Sequence, residues 1–179
     1  TLANSVSGGT WSSSNPSIAS VVSGTGVVTG VGVGTATISY NITGGCFSAT
    51  TVTVNAAPTV SSISTNSPLC ANSTLSLVAN SPSNVTDYSW TGPAAITGAS
   101  SATASVPGIN TSGSGTYSLT VNNGTGAGCT TTYTTSVSIL ASPAANSGPS
   151  QVCEGGTALL GNTVSGGTWT SSNTAVATV

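Results

Sequence analysis

Residues 162–179, NTVSGGTWTSSNTAVATV, repeat residues 4–21, NSVSGGTWSSSNPSIASV, at a constant offset of 158 positions (162 minus 4). Trp11 matches Trp169, Gly8-Gly9 match Gly166-Gly167, and Val21 matches Val179. The differences are mild exchanges such as Ser5 to Thr163 and Ile18 to Val176, apart from Pro16 to Thr174. Self-similarity at a fixed period marks an array of structural units that stack on their neighbours. A fainter similarity lies inside the unit. Cys70-Ala71-Asn72-Ser73-Thr74-Leu75 resembles Cys153-Glu154-Gly155-Gly156-Thr157-Ala158, and Gly115-Thr116-Tyr117-Ser118-Leu119 resembles Gly34-Thr35-Ala36-Thr37-Ile38. Gly128-Cys129 and Gly45-Cys46 each precede a Thr-rich stretch. The 158-residue unit therefore reads as two related domains averaging 79 residues, half of 158.

The local pattern is strand and turn. Val52 and Val54 alternate with threonines, as do Leu75 with Leu77, Tyr117 with Leu119 and Val121, and Val137 with Ile139. A period of two with β-branched enrichment is the mark of half-buried strands. Gly-Gly, Ser-Gly, Pro-Gly and Asn-Gly pairs punctuate them. Many short strands at regular spacing predict β-sandwiches. Linkers are expected at Ala56-Ala57-Pro58 and at Ser142-Pro143-Ala144-Ala145-Asn146. They divide the chain into residues 1–55, residues 59–141 and an incomplete third domain over 147–179. Short Pro/Ala linkers favour a semi-rigid rod.

Composition excludes several classes of function. The 179 residues hold no Lys, Arg, His or Met, and Asp87 and Glu154 are the only acids. Disorder of the usual kind needs low hydrophobicity and high net charge, whereas mean hydropathy here is +0.29 and net charge −2. The absence of basic residues removes the electrostatic footprint of nucleic-acid and anionic-lipid binding. No apolar run approaches the roughly 20 residues of a membrane span. No leader pattern occurs, which reads as a mature or internal segment. No His or Lys exists to activate a serine, and one carboxylate per domain gives no acid/base pair and too few ligands for a calcium site. The expectation is no enzyme, no cofactor and no metal. The stretch Gly30-Val31-Gly32-Val33-Gly34 lacks the Lys and the helix of a phosphate loop.

Trp11-Ser12-Ser13-Ser14-Asn15-Pro16, followed by Gly26-Val27-Val28-Thr29-Gly30 and Gly34-Thr35-Ala36-Thr37-Ile38, resembles the bacterial Ig-like group 2 domain of intimin/invasin type. The resemblance covers residues 1–55 and recurs at 159–179. Residues 59–141 resemble the Ig-like or PKD-like modules of giant Bacteroidetes surface adhesins, through Pro68-Leu69-Cys70, Tyr88-Ser89-Trp90 and Gly115-Thr116-Tyr117. The resemblance implies tandem Ig-like β-sandwiches at a bacterial cell surface or in a secreted filament. In residues 1–55 the first strand is then missing or supplied by the preceding copy.

Four widely spaced cysteines, without a C-x-x-C pair or a His, suggest disulfides in an oxidising extracellular setting; the other reading is four buried free thiols. Antibody-type domains join two strands through the core, but the position two residues after Tyr117 is Leu119. A Cys70–Cys129 bridge near one end of the sandwich is expected instead, stabilising by roughly 3–4 kcal/mol in the chain-entropy model. Subtracting 158 from 153 gives position −5, so Cys46 and Cys153 are expected to bridge to neighbouring copies. Those copies are joined either in one long polypeptide or as subunits that complete each other by strand addition.

Trp11, Trp90 and Trp169 are expected as core residues, with sugar stacking as the alternative. Tyr117 is expected to bond backbone like a tyrosine corner, and Phe47 to pack over a disulfide at Cys46. Asn41, Asn72, Asn84, Asn110 and Asn123 begin Asn-x-Ser/Thr sequons. Their number follows from a composition rich in these residues, and O-linked glycan would help solvate a nearly uncharged surface. The functional expectation is a structural stalk, fibre or filament segment, its partners being head-to-tail copies of itself with lateral contacts between filaments. The alternative is an adhesin module that binds a glycan or host ligand through end loops. With no Lys or Arg, trypsin is expected to leave residues 1–179 uncut even after denaturation and reduction. An internal tryptic fragment in the mass spectrum would contradict this.

Overall fold

The computed structural model describes residues 1–124 and 128–179. Strands dominate, and the described residues form a single helical turn, a 3-10 turn at Thr111–Gly113. Two compact units are present. One comprises Thr1–Thr59, Asn84–Thr86 and Asn122–Thr131; the other comprises Val60–Ser83, Asp87–Val121 and Thr132–Val179.

The first unit contains β1 (Thr10–Ser13), β2 (Ala19–Val21), β3 (Val28–Gly30), β4 (Gly34–Asn41) and β5 (Phe47–Val54). One sheet has the order β1-β4-β5, and β2 pairs with β3 in a second. Strand β4 alternates strictly: Ala36, Ile38 and Tyr40 are buried, and Thr35, Thr37 and Asn41 are exposed. Because successive side chains point to opposite faces, one face of β4 meets the β2–β3 pair. Ala19, Ala36 and Ile38 form the buried centre, covered by Leu2, Trp11, Ile18, Val21, Val28, Val52 and Val54. Strand β5 is an edge strand whose first half is exposed on both faces.

The second unit contains β6 (Ser62–Thr65), β7 (Leu69–Cys70), β8 (Ser73–Asn80), β9 (Asp87–Thr91), β10 (Thr103–Ile109), β13 (Ile139–Leu140) and all but the ends at Asn122 and Thr130–Thr131 of β11 (Gly115–Asn122) and β12 (Thr130–Val137). Its sheets have the orders β10-β8-β6 and β12-β11-β9, and β13 adds parallel to β7. The inner faces carry Leu75, Leu77 and Ala79 from β8, and Tyr117, Leu119 and Val121 from β11. The period of two in the sequence is thus the period of burial. Trp90 on β9 is 3% exposed, and its Nε1–H donates to the Ser101 carbonyl at 2.9 Å. This satisfies the one polar atom that indole brings inside. The chain is all-β, built on the Ig-like sandwich principle of two facing sheets.

Tyr117 is fully buried, and its hydroxyl donates to the Gly113 carbonyl at 3.0 Å. Gly92 makes room for the ring, since a Cβ there would overlap it. Burial raises the phenol's pKa above its ordinary value, partly offset by a backbone hydrogen bond from Ala94.

The expected Cys70–Cys129 bridge is not formed in this structure. All four thiols are free. Cys129 immediately precedes β12, and its N–H is held by Asn123 Oδ1 at 3.1 Å. Cys70 lies in β7, opposite Leu140 of β13, which follows the far end of β12. The eight residues of β12 therefore separate the two positions by about 26 Å at ~3.3 Å per residue. A disulfide needs Cα atoms within about 7 Å, so Cys70 and Cys129 do not bridge. Phe47 covers no bridge either: it is 69% exposed, beside the free thiol of Cys46.

Leu119→Ala removes a fully buried side chain and is expected to cost about 2–5 kcal/mol, read as a lower urea midpoint. For Tyr117 the sign is set by the raised folded pKa. Stability is intact below the unfolded pKa, about 10, and is lost as pH rises toward the folded value. Tyr117→Phe should lower the thermal midpoint near neutrality through one lost hydrogen bond, about 1 kcal/mol. It should also flatten the fall that begins above the unfolded pKa, about 10. An equally steep fall in the variant would mean that Tyr117 does not titrate there.

Candidate interaction surface

Trp11 and Tyr40 lie opposite each other in the β1–β4 register. Their rings are 4.8 Å apart at a 50° tilt, close to the arrangements aromatic pairs prefer. The Tyr40 hydroxyl does two things at once. It donates to the Val6 carbonyl at 2.8 Å and accepts from the Gly9 N–H at 2.8 Å. One side chain of β4 thus clasps the segment that leads into β1. Position 9 must be glycine, since a Cβ there would lie 2.5 Å from Tyr40 Cζ. The sequence alone did not single out Tyr40, although the Ala36-Ile38-Tyr40 alternation carried the signal.

Residues 162–179 keep the local structure of their first copy. Gly8 and Gly166 share φ +84°. The Val6 N–H is held by Asn4 Oδ1 at 2.9 Å and the Val164 N–H by Asn162 Oδ1 at 3.0 Å. The Asn15 carbonyl accepts from the N–H groups of Ile18 and Ala19 at 3.1 Å each, as Asn173 does from Val176 and Ala177. Such Asx-type turns close within a few residues and need no distant partner.

What the second copy lacks is cover. Trp169, expected as a core residue, is 45% exposed in this structure. The cause is local, since no strand lies against it as β4 lies against Trp11. Leu160 is 40%, Val176 82% and Val179 75% exposed. Their first-copy equivalents Leu2, Ile18 and Val21 pack on the core. Covering a side chain of this kind contributes about 1.5–3 kcal/mol. A cleft of about 430 Å3 opens between Leu160, Val164, Gly167 and Trp169.

The remaining candidates are dispersed. Cys46 and Cys153 are exposed. Asp87 opens β9, and Glu154 is exposed. Among the described residues no three His, Cys, Asp or Glu side chains gather, and no helix is long and apolar enough to cross a membrane. Asn123 is 8% exposed, and its amide nitrogen donates to the Ala56 carbonyl at 3.0 Å. The atom that would carry an N-linked glycan is therefore engaged; Thr125 of that sequon lies outside the described residues.

No protein-family model matches the chain, and no curated protein matches it. Among solved structures it is similar to the N-terminal eight Ig domains of Down Syndrome Cell Adhesion Molecule, with TM-score 0.46 and 13% identity over 75% of this chain and 21% of that one. It is also similar to the first five immunoglobulin domains of Sidekick-1, with TM-score 0.40 and 13% identity over 75% of this chain and 33% of that one. Murine CEACAM1b follows with TM-score 0.38 and 14% identity over 74% of this chain and 85% of that one. The chain thus spans between a fifth and a third of the first two structures it matches.

Proposed function

We propose that this chain is a structural segment of an extracellular bacterial fibre, filament or stalk. In this reading two kinds of Ig-like sandwich alternate at a 158-residue period. Residues 1–55 and 59–141 are one sandwich of each kind, and residues 147–179 begin another of the first kind. The observation that carries the reading is the second copy itself. Residues 162–179 hold the turns of residues 4–21, yet leave bare the apolar side chains that the first copy buries. The partner that would cover them is another repeat.

The composition fits mechanical work better than chemistry. Backbone ladders and neutral side chains carry the hydrogen bonding, and a charge content of 1% leaves little repulsion between neighbouring filaments. The exposed thiols of Cys46 and Cys153 are the pair available for bridges between copies. O-linked glycan on exposed Ser and Thr would keep such a surface solvated. The adhesin reading draws on the exposed ring of Trp169, which on that view is a stacking platform for sugar.

Electron microscopy of the native material separates the two readings. The structural reading expects fibres with two beads per 158-residue repeat. Dispersed short particles that bind a glycan surface through Trp169 would replace it with the adhesin reading.

A further inference from the structure

We propose that Asn123 is a modification site: the folded chain shields it from deamidation, and its conversion to aspartate releases the linker at Ala56. The filament and adhesin readings are both independent of this site.

Asn123-Gly124 is the one Asn-Gly pair in the chain. Glycine has no Cβ to crowd its own backbone, so its nitrogen reaches the preceding asparagine side chain more readily than that of any other residue. In the reaction the Gly124 nitrogen attacks Asn123 Cγ. A bond forms between them, the Cγ–Nδ2 bond breaks, and the proton of the attacking nitrogen leaves with ammonia. Water then opens the cyclic imide to give aspartate or its β-linked isomer. Water is the sole co-reactant.

The fold opposes this at the reacting atoms. The Gly124 N–H must be free to attack, yet it donates to Asn122 Oδ1 at 2.8 Å. Asn123 Oδ1 accepts from the Cys129 N–H at 3.1 Å. Asn123 Nδ2, the leaving nitrogen, donates to the Ala56 carbonyl at 3.0 Å. Gly128 leaves space for the Asn122 side chain, since a Cβ there would stand 2.5 Å from its Oδ1. Among the described residues, Asn123 is also the only buried Asn, Ser, Thr, Asp or Glu. Attack requires its side chain to turn and these bonds to break. The reaction therefore passes through local opening, and its rate follows the population of the open form.

The bond to Ala56 gives the reaction a consequence. Ala56 and Asn123 belong to the same compact unit, and Ala56 begins the linker that runs to the fully buried Pro58. Aspartate keeps an acceptor for the Cys129 N–H but has no hydrogen to donate to the Ala56 carbonyl. Its charge would be buried in a chain without Lys, Arg or His to pair with it, at a cost well beyond that of one lost neutral bond. The carboxylate turns out to water, and the linker loses its fastening. Closing again does not restore the amide, so the linker loosens with the time the chain has spent open.

The full chain is incubated at mildly alkaline pH, both folded and in concentrated urea. Deamidation at Asn123 is followed by mass spectrometry after pepsin digestion. It is expected to run about 10-fold or more slower in the folded chain. Asn122→Ala frees the Gly124 N–H and should speed the folded reaction while leaving the rate in urea unchanged. Equal rates in the folded and unfolded chain, or a folded rate insensitive to Asn122→Ala, overturn the shield. Asn123→Asp reports the consequence through amide hydrogen exchange. Exchange within residues 55–59 is expected to rise about 10-fold, with β8 protected as in the parent chain. Asn123→Ala removes the same bond without adding a charge, and should raise exchange there even if the aspartate variant does not fold. Unchanged exchange at residues 55–59 in Asn123→Ala overturns the fastening.

Discussion

A β-sheet buries one face only when a second layer lies against it, and in the first unit the β2–β3 pair supplies that layer over Ala36 and Ile38 of β4, while one side chain of β4 holds the segment that leads into β1. Tyr40 belongs to β4, yet its ring and hydroxyl engage the backbone of Val6 and Gly9 and the ring of Trp11. Remove that contact and the entering segment keeps its own turns but loses its anchor on the sheet. Residues 162–179 display that condition, with the same turns formed and the same side chains uncovered. Local closure and long-range cover are therefore separable in this chain. The first is written in residues two to four positions apart, and the second requires a strand from elsewhere.

Much of the fold was legible for a simple reason. Where a strand is covered on one face, burial and sequence share a period of two. Leu75-Leu77 on β8 and Tyr117-Leu119-Val121 on β11 follow it without exception. The failures have an equally physical origin. Sequence separation says nothing about distance along a strand. Cys70 and Cys129 stand near the two ends of one domain in sequence, and the length of β12 keeps them apart in space. The Tyr40 clasp was missed because a Tyr on an apolar face reads as ordinary core until its hydroxyl is traced to a backbone acceptor.

A protein with almost no charge must specify its turns and edges by other means. Neutral amides and hydroxyls take that role. Asn66 donates to the Thr74 carbonyl and accepts from the Ser76 N–H, which ties the β6–β7 connection to β8. Asn80 reaches Ser62 on the neighbouring strand. Ser114 accepts from the Ile139 N–H, and Ser67 from that of Ser138. No buried side-chain nitrogen or oxygen among the described residues lacks a partner. Bonds between neutral groups are little affected by salt and do not titrate near neutrality. Such a fold is indifferent to ionic conditions that would rearrange a surface held by ion pairs. Tyr117 is the exception, and it responds only at alkaline pH.

The same neutrality bears on how β1 and β4 find their register. Without charges there is no long-range steering and no repulsion to reject a wrong register. Discrimination must come from shape and from satisfied hydrogen bonds at contact. A tyrosine over glycine supplies both. The glycine admits the ring only where a Cβ is absent, and the hydroxyl is satisfied only where a carbonyl and an N–H stand at the Val6 and Gly9 positions. A β4 displaced by one residue turns its tyrosine to the opposite face and sets Ser39 or Asn41 opposite the Trp11 indole instead. In strands this rich in serine and threonine, such as β5 (FSATTVTV) and β12 (TTTYTTSV), backbone pairing alone would tolerate many registers. The aromatic clasp makes one of them preferred, so each sandwich closes on its own hairpin.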